Sequence, residues 1–81
     1  MKPMQLGETI SLFFVFGTVM DGAYYYSSSA YVPTGYKIDD NPTLPANTSI
    51  RRTGNYYSLY TGNSSLAGKG TNIICKIVAD A

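Results

Sequence analysis

Between Glu8 and Val19 the apolar residues Ile10, Leu12, Phe14 and Phe16 occupy every second position. A repeat of two is the period of an extended strand, whose successive side chains point to opposite faces. Phe13 and Val15 make the second face partly apolar too, which predicts cover on both sides. The period returns at Asn72–Val78, with Ile73, Cys75 and Ile77 on one face and Ile74, Lys76 and Val78 on the other. No stretch carries the 3.6-residue repeat of an amphipathic helix. Ile10, Leu12, Phe14, Phe16, Ile73, Cys75 and Ile77 are therefore the predicted core.

Turn residues divide the chain into short strands. Asp21-Gly22 between two β-prone runs predicts a tight hairpin of type I′, in which both central residues need positive φ. The return strand is Ala23–Tyr26, with Ser27-Ser28-Ser29 as its candidate continuation. Ala30–Ile38 reads as a further strand, at an edge or bulged because of Pro33 and Gly35. Asp39 to Asn47 is a loop rich in turn formers, and Thr48–Thr53, the turn Gly54-Asn55 and Tyr56–Thr61 follow. Gly62 to Gly70 reads as a flexible, outward loop. The prediction is one all-β domain over residues 1–81: a small antiparallel sandwich or barrel of five to six short strands.

Composition narrows the chemistry. The 81 residues hold eight tyrosines, one cysteine, no histidine and no tryptophan. One cysteine allows no internal disulfide, and with no histidine the usual zinc sites have no ligand set. A domain this short buries only roughly 60–65% of its unfolded surface, so a partner chain is the expected supplement to its stability. Charge is sparse: 14% of residues and a net +1, against about 25% in an average domain. Lys2 followed by apolar Ile10–Met20 has the outline of a secretory signal. Glu8 ahead of the run, Gly17 and Thr18 within it and the poor cleavage site Asp21-Gly22-Ala23 argue against one. The run is also shorter than the ~20 residues that span a bilayer.

No set of residues supplies an acid, a base and a nucleophile together, so the chain reads as non-enzymatic, without cofactor or metal. Gly62–Thr71 (GNSSLAGKGT) departs from a phosphate-binding loop, having five residues between Gly62 and Gly68 and Gly70 where Ser or Thr is needed. Asp39-Asp40-Asn41 lacks calcium-loop spacing and reads as a turn. Cys75, inside an apolar run, has no histidine to act as its base. The candidate contact residues are Tyr24, Tyr25, Tyr26, Tyr31 and Tyr36 in one group and Tyr56, Tyr57 and Tyr60 in another, with Arg51 and Arg52 beside the second. Tyrosine offers a rigid apolar body with a polar tip, suited to interfaces and to sugar faces. Arginines next to tyrosines also suit single-stranded nucleic acid, but a net +1 gives little attraction for phosphate.

Low charge, abundant Gly, Asn, Ser, Thr and Tyr, short strands and the terminal apolar strand Asn72-Ile73-Ile74-Cys75-Lys76-Ile77-Val78 resemble small bacteriophage virion proteins, of the tail-fibre tip or capsid decoration type. That resemblance implies a structural or adhesive subunit on a virion or extracellular surface. It further implies self-association or docking on a larger assembly, no cofactor, and either shell reinforcement or host-receptor binding. The alternatives are a carbohydrate- or receptor-binding module and, third, a barrel for single-stranded nucleic acid.

Overall fold

The computed structural model describes residues 6–39 and 42–80. Its strands are β1 (Thr9–Asp21), β2 (Tyr24–Tyr31), β3 (Tyr36–Ile38), β4 (Thr48–Thr53), β5 (Tyr56–Thr61) and β6 (Gly70–Ala79). All six join one antiparallel sheet in the order β3-β6-β1-β2-β5-β4, curled into a half-barrel. The domain is thus all-β, in the form of an open barrel.

The concave face holds the core. Phe14 and Phe16 from β1, Ile73, Cys75 and Ile77 from β6, and Tyr57 and Leu59 from β5 are buried there with Val32 and Ile38. Ile10 and Leu12 are only half-buried and pack against that cluster. Alternation does the sorting: an inward residue on each of these strands is followed by an outward one.

Both two-residue hairpins use glycine, and in the same way. Asp21 pairs with Tyr24 across Gly22-Ala23, and Thr53 pairs with Tyr56 across Gly54-Asn55. Gly22 and Gly54 have φ of 64° and 60°, and neither following residue has positive φ. Glycine in the first central position with ordinary φ after it is the type II′ pattern, so the type I′ expectation at Asp21-Gly22 is corrected. The hairpin lies one residue later than the Asp-Gly pair suggests.

The strand expected over Ala30–Ile38 is divided. Ala30 and Tyr31 complete β2, Pro33 offers no ladder N–H, and the Tyr36 amide turns back to the Pro33 carbonyl. The three residues left form the short edge strand β3 on β6.

The serine run does continue β2, through two irregularities. From Tyr26 to Ser29 β2 advances three residues while β5 moves two, Tyr60 to Ser58. From Phe16 to Met20 β1 advances four while β2 moves two, Ser27 to Tyr25. The first mismatch leaves ladder groups around Ser27 and Ser28 without their regular partners, and serine hydroxyls take their place. Ser27 Oγ accepts from the Leu59 amide at 2.8 Å and donates to the Ser28 carbonyl at 2.7 Å. Ser28 Oγ accepts from the Val15 amide at 3.1 Å.

Both long loops turn an apolar side chain inward, including Gly62–Gly70, which was expected to face outward. Leu44 and Leu66 both pack on the core cluster. The Gly62–Gly70 segment contains a 3₁₀ turn, Ser64–Leu66, capped by Asn63, and the Gly68 amide binds the Gly17 carbonyl of β1. Thr61, fully buried, accepts from the Thr48 hydroxyl and the Asn63 amide and donates to the Asn47 carbonyl. That one hydroxyl ties the start of β4 to the end of β5.

Contacts between distant strands draw the half-barrel together. The Tyr57 hydroxyl on β5 accepts from the Ile38 amide on β3, 3.3 Å away. Arg52 on β4 pairs with Asp80, just past β6. Asn55, in the β4–β5 turn, donates its side-chain amide to the Val32 carbonyl and accepts from the Val32 amide.

Candidate functional site

The convex face carries uncovered apolar residues. Phe13 and Val15 of β1 and Ile74 of β6 point outward and are 58%, 42% and 58% exposed. The described residues therefore leave the second face of β1 without the predicted cover. Phe13 lies across Gly70 of the neighbouring strand: a Cβ at Gly70 would sit 2.5 Å from the ring's Cζ. The ring shields a glycine that offers no side chain of its own.

Further round the same face, β2 and β5 bring tyrosines together. Tyr26 and Tyr60 are register partners, and Tyr24 stands next along β2 on the same side. The Tyr24 and Tyr60 rings meet edge-on at 5.2 Å and 87°, while Tyr26 and Tyr60 are 6.1 Å apart and tilted by 32°. With Arg51 and Ile50 of β4 they line a shallow hollow of about 380 Å³. A second hollow of about 440 Å³ shares Tyr24 and is otherwise lined by Ala23, Asn47, Thr48, Ser49 and Gly62. Among the described residues no carboxylate pairs with Arg51. Tyr31 and Tyr56 form a separate edge-on pair, 5.5 Å apart, at the far end of the same two strands.

The other candidate contact residues belong elsewhere. Tyr57 is buried, because its position in β5 points into the barrel. Tyr25 and Tyr36 are half-buried against the core, one on the inward parity of β2 and the other on the edge strand β3. Tyr57 is thus a core residue, which corrects its assignment to a contact surface, while Tyr25 and Tyr36 stand at the margin of the core. Arg51 and Arg52 separate because neighbours in a strand face apart. Arg52 sits over the Tyr57 ring, 5.6 Å from its centroid, and donates to Asp80 and to the Gly54 carbonyl. The Asp80 hydrogen bond raises the Arg52 pKa and holds the Asp80 carboxyl below its ordinary 3.8.

The remaining motifs resolve plainly. The amides of Leu66, Ala67, Gly68 and Lys69 are bonded to protein carbonyls, so the GNSSLAGKGT loop has no cradle of N–H groups for an anion. A strand, not a helix, follows it. Burial pushes the Cys75 thiol above its ordinary 9.0, and the charge of Asp39 adds to the shift. Asp40 and Asn41 lie outside the described residues. Among the described residues no three His, Cys, Asp or Glu side chains gather to hold a metal, and no helix is long and apolar enough to cross a membrane.

Sequence reading missed Ile50 and the polar trio Asn47, Thr48 and Ser49 as partners of the tyrosines. Nothing local marks them, since only the β4–β5 hairpin brings them beside β2. Phe13, Val15 and Ile74 did carry a signal, the second apolar parity of their strands. Comparison with family models, with curated proteins and with solved structures finds no match for this chain.

Proposed function

We propose that this protein is a non-enzymatic structural or adhesive subunit of a larger assembly, acting through contacts on its convex face. The observation that carries this reading is the uncovered strip of Phe13, Val15 and Ile74 on a chain with 14% charged residues. An exposed apolar patch on a small domain marks a contact surface, and association adds to the thin stability of a single small core. The tyrosine- and hydroxyl-rich composition supports a virion surface as its setting, in a capsid decoration or tail-fibre tip role. The first partner expected is a second copy of the chain.

The test is molar mass by light scattering across a concentration series, for the parent chain and for a Val15→Thr, Ile74→Thr variant. Threonine keeps the β-branched shape while adding a polar group, so the strands are retained. The parent is expected to form a closed oligomer and the variant to shift toward monomer with an unchanged far-UV spectrum. A parent that stays monomeric at every concentration removes self-assembly from the proposal.

A further inference from the structure

We infer that the hollow between Tyr24, Tyr26, Tyr60 and Arg51 is a binding site for an acidic saccharide, a pyranose ring bearing a carboxylate. This goes beyond assembly and rests on different residues from the Phe13–Ile74 strip. Four features select the ligand. Tyr24 and Tyr60 stand at 87° to one another, a floor and a wall rather than a flat stack. Such a corner receives the C–H face of a chair-shaped ring and leaves phenol hydroxyls at its rim. The hollow, about 380 Å³, lies at the lower end of the roughly 300–1,000 Å³ of ligand pockets, which suits a ligand of one or two rings.

Among the described residues Arg51 is the single charged one lining either hollow, and no carboxylate neutralises it. Its planar fork matches a carboxylate. One cation suits one anionic group. A polyanion needs a basic track, and the neighbouring Arg52 faces the other side of the sheet, held by Asp80. Finally, the site continues past Tyr24 into a hollow of different character. Asn47 and Ser49 are exposed there, and their side chains make no hydrogen bond to other described residues. Amide and hydroxyl groups around a second space fit the hydroxyls of an adjoining sugar unit.

The test is a titration of the isotope-labelled full chain, followed by amide and arginine side-chain NMR shifts. The probes are methyl glucuronide, a glucuronate–N-acetylglucosamine disaccharide, methyl glucoside, sodium acetate and a short oligothymidylate. The glucuronide is expected to shift Tyr24, Tyr26, Ile50, Arg51 and Tyr60, and the disaccharide to shift Asn47 and Ser49 as well and bind more tightly. Arg51→Gln, on an exposed position, should weaken the glucuronide roughly tenfold to a hundredfold, the range for a hydrogen bond to a charged group. The same variant should leave the neutral glucoside unchanged, and Tyr24→Ala should weaken both sugars.

Several outcomes overturn the proposal. One is the absence of shifts up to roughly 10 mM uronate, where a millimolar site would be mostly filled. Others are acetate reproducing the whole pattern, glucoside binding as well as glucuronide, or tighter, salt-sensitive binding of the oligothymidylate. Disaccharide shifts that stop at Tyr24 would remove the second hollow from the site.

Discussion

Replacing the three serines of β2 one at a time by alanine should give three distinct stabilities. Ser27 Oγ is the acceptor for the Leu59 amide at 2.8 Å, and Leu59 is fully buried. Alanine at 27 leaves that part-buried amide, aimed at β2, with no acceptor and reduced access to water. The desolvation cost of an unsatisfied buried donor is about 1–3 kcal/mol. For a domain of this size that corresponds to a fall in Tm of roughly 5–20 °C. Ser28 serves the Val15 amide on a strand segment open to solvent, so water takes over its role and the loss is smaller. Ser29 is exposed and makes no side-chain hydrogen bond to other described residues, so Ser29→Ala is the control, within about 0.5 kcal/mol of the parent. Urea unfolding measures the series, read as midpoint changes at constant slope. Amide exchange at Leu59, accelerated only in Ser27→Ala, would localise the effect. Equal midpoints for Ser27→Ala and Ser29→Ala would refute the idea that serine hydroxyls repair the ladder at the bulge.

Phe14→Ala should cost about 3–5 kcal/mol by opening a cavity at the centre of the core, most of the stability of a domain this small, while Phe13→Ser on the opposite parity should stay folded by circular dichroism. Asp80→Asn should flatten the acid limb of the stability profile. The Asp80 carboxyl is depressed when folded, so its contribution is complete above 3.8 and disappears as pH falls through the lower folded value. A pH series of urea midpoints checks this, and an unchanged acid limb counts against the pairing with Arg52. Cys75, buried with a raised pKa, should react with a thiol reagent at pH 8 only at the rate of opening, with full reaction in urea. Fast labelling of the folded chain would show that the core is not closed over Cys75.

What sequence alone could reveal about the site was uneven. The outward parity of Phe13, Val15 and Ile74 was readable, since it follows from each strand's own period. The division of the tyrosines was not. Tyr24-Tyr25-Tyr26 looks alike residue by residue, and only the pairing of β2 with β5 shows that Tyr24 and Tyr26 share a face with Tyr60 while Tyr25 turns inward. Tyr57 gave no sign of its burial, because what encloses it comes from β3 and β4.

Most strand identities, the inward faces of β1 and β6 and the use of glycine at both hairpins were decided locally. Side chains alternate along any extended backbone, and few residues other than glycine accept positive φ at such turns. The order β3-β6-β1-β2-β5-β4, the curl of the sheet and the tyrosine–arginine hollow were decided only by the tertiary structure. Each depends on register between segments far apart in sequence. The bulge at Ser27–Ser29 and the slip between Phe16 and Met20 alter that register by one or two residues. A change of one residue moves a side chain from one face of a strand to the other, and no local pattern records where it occurs.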